Sequence, residues 1–280
     1  SDTLARALAA ALPGMIGQPV VVENRPGANG AAAAAAAARA APDGQTLFVG
    51  ASGILTINPH LQRGAAYDPL RDFVPLTLAI SAPNLLVTHP DFPPRSVPGL
   101  IEWLRAHPDA ASYGSSGIGS SEHLTMELFA QRTGTQLTHV PYPGGAAAVT
   151  DLLAGRLQLS FLNLAVVAPH VGSGALRAVA VGSPARHPLL PEVPAVAETL
   201  PGFEGGSWHS LVAPRGTPDP LAERIHDALA AALRLPETTE RLSRIGFTVE
   251  ASSRAELGAR IAGELAGWGE VVRRAGLATG

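Results

Sequence analysis

The sequence predicts an α/β protein of two domains, and three observations predict it. Short apolar runs of strand length alternate with segments of helical period along most of the chain, the rhythm of βαβ units with helices on both faces of parallel sheets. With 280 residues the chain exceeds one typical domain and can bury a substantial core. Glycine and serine collect just beyond several apolar runs, where open α/β sheets bind ligands.

Taken in order, Leu4, Leu8 and Leu12 recur on one helical face, and Pro13-Gly14 ends that pattern. Residues 20–22, all valine, read as a strand, 24–30 as a loop, and the alanine run 31–38 as a helix without side-chain bulk. Pro42-Asp43-Gly44 makes a turn before a strand at 46–49, which ends in the small-residue loop Gly50-Ala51-Ser52-Gly53. Strands are expected at 74–80 and 85–87, then a helix on Leu100, Ile101 and Leu104 that Ser96 and Pro98 start. After Ser121 a helix carries Leu124, Met126, Leu128 and Phe129. A strand at 137–140, a helix at 146–153 and strands at 157–162 and 176–181 continue the rhythm. Residues 188–206 hold no period and read as a surface segment leading to a strand at 210–212. Three helices close the chain: a stripe of Leu221, Ile225, Leu229 and Leu233 after Pro220, a short helix from Pro236, and one opened by the capping box Ser253-Arg254-Ala255-Glu256.

Composition removes several function classes. Apolar residues make up 46% and charged ones 15%, which argues against disorder, and no apolar run reaches the ~18–20 residues of a membrane helix. A net charge of −3 gives no electrostatic ground for a nucleic-acid partner. Every basic residue is arginine, so Schiff-base and pyridoxal chemistry and a Walker-type phosphate loop are excluded. Cysteine is absent, which removes thiol nucleophiles, disulfides and cysteine-bound zinc. The nine histidines never share the three- or four-residue spacing of a helical metal site, so neither metal nor cofactor is expected.

The richest stretch is Tyr113-Gly114-Ser115-Ser116-Gly117-Ile118-Gly119-Ser120-Ser121-Glu122-His123-Leu124, a glycine and serine loop that runs into a helix. Unpaired N–H groups and the dipole at a helix start suit an anion, and serine hydroxyls add donors. Capping of the helix by Ser120 or Ser121 explains the same residues. A serine hydrolase that pairs a serine of 115–121 with His123, with Asp151 downstream, is the alternative activity, although Gly-x-Ser-x-Gly is not matched. Gly27-Ala28-Asn29-Gly30 and Gly144-Gly145 read as turns rather than dinucleotide loops. Neither Ala51-Ser52-Gly53 nor the 115–121 loop contains arginine, and neutral N–H and O–H donors suit a small carboxylate better than a polyphosphate. Asn163, at a neighbouring strand end, adds one donor and one acceptor.

Eight stretches, in order along the chain, carry a family resemblance: VVENRPGANG at 21–30, APDGQTL at 41–47, INPHL at 57–61, YDPLRDFVPLTL at 67–78, YGSSGIGSSEHL at 113–124, HVPYPGG at 139–145, LPEVPAVAETLPGFE at 190–204 and SWHSLVAPRGTP at 207–218. Together they resemble the Bug receptors, periplasmic solute-binding components of tripartite tricarboxylate transporters. The resemblance implies a type II periplasmic binding protein, two α/β domains with a hinge and a ligand cleft between them, covering 1–88 plus 212–280 and 89–211. It implies no catalysis, a monomer in the periplasm whose leader is not part of this sequence, and a membrane transporter or a sensor as partner. Its ligand-binding positions match Ser1, Asp2, Ala51, Ser52, Gly53, Ser115, Ser116, Gly119, Ser120, Ser121 and His123, with Tyr142 and Asn163 nearby. Three departures stand out: the family's apolar strand and Pro-Gly-Gly loop ahead of Ser1 are not in this sequence, Pro143 replaces a frequent lysine, and Leu162 replaces a frequent aspartate. The last two leave Asp2 as the candidate partner for a ligand amino group.

Overall fold

The computed structural model describes residues 1–25, 27, 30–61 and 66–277. In chain order the first elements are α1 (Asp2–Ala11), α2 (Pro13–Ile16), α3 (Ala31–Ala38), β1 (Phe48–Ala51), a π-helical turn (Gly53–Ile57), α4 (Asn58–Leu61) and β2 (Phe73–Thr88). Then come α5 (Val97–Ala106), β3 (Ser112–Ser115), α6 (Ser121–Thr133), β4 (Thr138–Pro141), α7 (Gly145–Leu153), β5 (Leu159–Asn163), α8 (Leu164–Gly172) and β6 (Arg177–Val181). The chain ends with β7 (Gly206–Pro214), α9 (Asp219–Arg234), α10 (Pro236–Ser243), β8 (Thr248–Val249) and α11 (Arg254–Arg274). These form two compact units, Ser1–Ser81 with Trp208–Gly280, and Ala82–Ser207. The divisions fall on β2 and β7, earlier on each strand than the crossovers that the resemblance implies.

In the first unit β7 lies between β1 and β2, with Phe48 opposite Val212 and Ala51 opposite His209 in an antiparallel ladder. Strand β8 adds a short antiparallel pairing to β2 at Ile80 and Ser81. Leu4, Leu8 and Leu12 stand four apart and are buried against Leu229 and Leu233 of α9, each contributing about 2 kcal/mol of apolar burial. Alanines 34 and 35 of α3 pack with Phe48, Trp208, Leu257 and Ile261 in a second cluster. Trp208 is buried, its Nε1 donates to Glu264 Oε1 at 2.8 Å, and the Arg260 guanidinium lies 5.9 Å over its ring.

In the second unit the later part of β2 pairs antiparallel with β5 and β6, while β3 pairs parallel with β4 and β5. Strand side chains alternate between faces, so Leu86, Leu159 and Phe161 feed one core cluster and Leu85, Val87 and Leu162 another. Ser96 starts α5 as expected, its Oγ accepting from the Gly99 N–H at 3.3 Å. Trp103 of α5 stacks on His107 at 4.5 Å and meets Phe92 edge-on at 4.8 Å.

Several expectations change. The sheets are mixed rather than parallel, because β2 runs antiparallel to β5, β6 and β8 and β1 runs antiparallel to β7. Residues 74–80 and 85–87 belong to one strand, β2, whose pairing carries it past Pro83. Helix α1 ends at Ala11, just ahead of Pro13 as expected, but Pro13 at once begins α2, since proline is tolerated where no N–H is needed, and Gly17 ends that turn at φ +68°. Residues 20–22 form no strand or ladder among the described residues, and Val21 is 85% exposed. Of the 24–30 loop, Pro26, Ala28 and Asn29 lie outside the described residues. Helix α8 and strand β8 were not expected, and the 188–206 segment is not simply surface, since Ala195, Val196 and Phe203 are buried.

Candidate functional site

Strand β3 delivers the chain to the 115–121 loop and α6 takes it away. Tyr113 and Ser115 share a face of β3, and the parallel register sets His139 of β4 beside Tyr113. Gly117 at φ +124° and Gly119 at φ +76° occupy backbone conformations open to glycine, which folds the loop back on Ser115. Buried Ser115 accepts the Gly117 N–H at 3.2 Å, and its Oγ lies 2.7 Å from His139 Nε2. Ser120 caps α6 by accepting the His123 N–H at 3.2 Å. The cap and the loop are therefore one construction.

At its centre is a carboxylate of the protein itself. Glu122 is buried, and its Oε2 accepts the Ser116 N–H at 2.6 Å while Oε1 receives the Asn163 N–H at 3.5 Å. Main-chain amides of this loop thus already hold one carboxylate. Beside it, His123 Nδ1 accepts the Gly119 N–H at 3.0 Å, and its Nε2 lies 3.9 Å from Glu127 Oε1. The same Glu127 oxygen accepts the Tyr113 hydroxyl at 2.7 Å. The His123 and His139 rings stack at 3.8 Å and 9° between planes, and Tyr113 stacks on His139 at 4.8 Å. Burial lowers the His123 imidazole to about 4, helped by neighbouring His139, and burial lowers His139 to about 4 as well. The Tyr113 hydroxyl is raised, first by burial and then by Glu127.

Several donors remain unclaimed. The amides of Ile118, Ser121 and Glu122, the hydroxyls of Ser116 and Ser121, and Asn163 Nδ2 meet no protein acceptor among the described residues. Asn163 Oδ1 is engaged in capping α8 through the Ala165 N–H at 3.0 Å. Tyr142 donates its hydroxyl to Asp151 Oδ2 at 2.6 Å, and Arg156 holds the other oxygen at 2.7 Å. Burial and then Asp151 push the Tyr142 hydroxyl up to about 12.

The first unit presents a different junction. Ala51 ends β1, Ser52 is already helical and buried, and Gly53 opens the π turn, so no loop intervenes where one was expected. Ser52 Oγ accepts the Trp208 N–H at 3.4 Å, and its carbonyl accepts the Thr56 hydroxyl at 2.8 Å. The Gly53 and Ile54 amides take no acceptor among the described residues. Ser1 and Asp2 instead line a groove of about 940 Å³ that α1, β1, α9 and residues 18–25 bound, and Ala51–Gly53 do not line it. Both Asp2 oxygens are engaged, by Arg6 Nε and by Asn24 Nδ2, each at 2.8 Å.

No complete set of nucleophile, base and orienting carboxylate emerges from these groups. His123 Nδ1 is spent on Gly119, Ser115 contacts His139 instead, and no carboxylate bonds His139 among the described residues. On α9, Glu223, His226 and Asp227 bring ligand-type atoms within 4.8 Å of one another, but His226 Nδ1 contacts the Leu76 carbonyl at 2.9 Å and the carboxylates are exposed. Sequence reasoning missed Glu122, His139 and Glu127. His139 could have been found from its position on the strand next to Tyr113; the reach of Glu122 back to Ser116 has no sequence signature.

A mixed α/β chain with donor-lined turns at strand ends and no catalytic set has the character of a substrate-binding receptor, and solved periplasmic binding proteins share the fold. The R. palustris protein Rpa4515, solved with adipate, is 37% identical with a TM-score of 0.83 over 98% of this chain and 92% of that one. MatC (Rpa3494) from Rhodopseudomonas palustris, solved with bound malate, is 32% identical with a TM-score of 0.80 over 97% and 94%. Protein BugT of Bordetella pertussis (strain Tohama I) is 35% identical over 99% of this chain and 85% of its own length. The family model described as "Tripartite tricarboxylate transporter family receptor" matches residues 4–277. The chain belongs to that receptor family, whose members include the Bug proteins and are binding proteins rather than enzymes. The hydrolase alternative is thereby withdrawn.

Proposed function

We propose that this receptor binds a small dicarboxylate in the periplasm, as a monomer, and presents it to a membrane transporter or a sensor. The observation that carries the reading is the set of unclaimed donors at the start of α6, the Ser121 and Glu122 amides with the Ser116 and Ser121 hydroxyls, beside Asn163 Nδ2. A carboxylate gains charge-assisted hydrogen bonds and the favourable end of the α6 dipole there. In the first unit the Gly53 and Ile54 amides are a second carboxylate-binding element of the same chemistry. Adipate and malate, the ligands of the two solved relatives, support the dicarboxylate class. Tyr142, committed to Asp151, serves as a wall and not as a donor. Isothermal titration of the folded protein against mono-, di- and tricarboxylates and acidic amino acids tests the reading. Dicarboxylates should bind at least tenfold more tightly than monocarboxylates of the same length; binding of none, or of monocarboxylates alone, overturns it.

A further inference from the structure

We infer that His123 and His139 are positioning residues for the 115–121 loop, a stacked pair of neutral imidazoles that holds the loop's amides from inside and lets go when acid charges it. This deepens the proposed function, since it rests on reading that loop as the ligand loop. The geometry defines the protonation state. The Gly119 N–H donates to His123 Nδ1 at 3.0 Å, so that nitrogen must be bare, and the neutral ring carries its proton on Nε2, toward Glu127. A proton on Nδ1 would set two N–H groups against each other at that distance. It would also place a cation face to face with the His139 ring at 3.8 Å, so charging both rings sets two cations in contact.

His139 reaches the other end of the loop. Its Nε2 lies 2.7 Å from Ser115 Oγ, the atom that accepts the Gly117 N–H, so one imidazole governs Gly117 and the other Gly119. These two glycines set the turn that carries the Ile118, Ser121 and Glu122 amides, which meet no protein acceptor among the described residues. The charged and titratable groups around the pair are Glu127 of α6 and Tyr113 of β3, with Glu122 holding the loop from its far side through Ser116. Glu127 gives a proton on His123 Nδ1 no hydrogen-bond acceptor, because it faces Nε2 and already accepts the Tyr113 hydroxyl.

The pH dependence has a definite sign. Both imidazoles are lowered from 6.5 to about 4, so between those values the unfolded chain binds more protons than the folded one. Their contribution to stability is complete above about 6.5 and is lost as pH falls toward 4.

The test needs no ligand, so its failure is distinguishable from failure of the dicarboxylate reading. Imidazole nitrogens and the Gly119 amide are followed by NMR in the ligand-free protein from pH 7.5 to 3.5. Expected are a neutral His123 protonated on Nε2 at pH 5.5 and a Gly119 amide shift whose midpoint coincides with His123 titration. His123→Asn, whose amide oxygen stands near the place of Nδ1 and never titrates, should abolish that transition. His139→Gln, an untitratable stand-in for Nε2, removes the facing cation and should raise its midpoint without removing it, and serves as the second arm if His123→Asn does not fold. Titration of either histidine near 6.5, a Gly119 shift that ignores His123, or an unchanged transition in the folded variants overturns the inference.

Discussion

The two strand-to-helix junctions, Ser52 in the first unit and 115–121 in the second, begin from similar composition and are built by opposite means. At Ser52 the chain passes from β1 into a helical turn without a loop, and packing does the positioning: a Cβ on Gly50 would lie 2.7 Å from Leu55 Cδ1, and Ser52 is buried under Trp208. At 115–121 the chain leaves its strand, turns at two positive-φ glycines, and is held by side chains from α6 and β4. A junction shaped by packing keeps its form whatever the pH. One shaped by a carboxylate and two imidazoles depends on their charge states.

This difference can be broken from the largest expected effect to the smallest. Glu122→Ala leaves the Ser116 and Asn163 amides without their acceptor and should cost about 2–3 kcal/mol, read from the denaturant midpoint. Gly119→Ala places a side chain at φ +76° and should cost about 1–2 kcal/mol while weakening dicarboxylate binding measured by calorimetry. Ser120→Ala removes the α6 cap and should cost about 1 kcal/mol in the same denaturation assay. Ser52→Ala loses only a hydrogen bond at 3.4 Å and should fall below about 1 kcal/mol in thermal unfolding. If Ser52→Ala proves the costlier of the two serine changes, the contrast between the junctions is wrong.

Much of the fold was legible because its signals are local. The leucine stripes of α1 and α9, the Ser96 cap and the Ser253–Glu256 capping box each depend on spacings within one turn, and each appears in the structure. Strand direction was not legible, since the apolar runs of β2 look alike whether the neighbour is parallel or antiparallel. Residues 20–22 have strand composition, but a strand requires a partner, and none pairs with them among the described residues. At the site, Ser120 and the 115–121 loop were visible as a helix start, whereas the Glu122 carboxylate and the His123–His139 stack arise from contacts between elements. Tyr142 and Asp2 were expected at the ligand, Asp2 as partner for a ligand amino group; in the structure the first bonds Asp151 and the second Arg6 and Asn24.

Trp103, wedged between His107 and Phe92, is the sole indole of Ala82–Ser207, while Trp208 and Trp268 belong to the first unit. The protein therefore carries a separate optical signal in each unit without an added dye. In a Trp103→Phe variant all remaining indole emission comes from the first unit, and the difference from the parent spectrum isolates the second. Loss of order in one unit can then be timed against the other in a single cuvette.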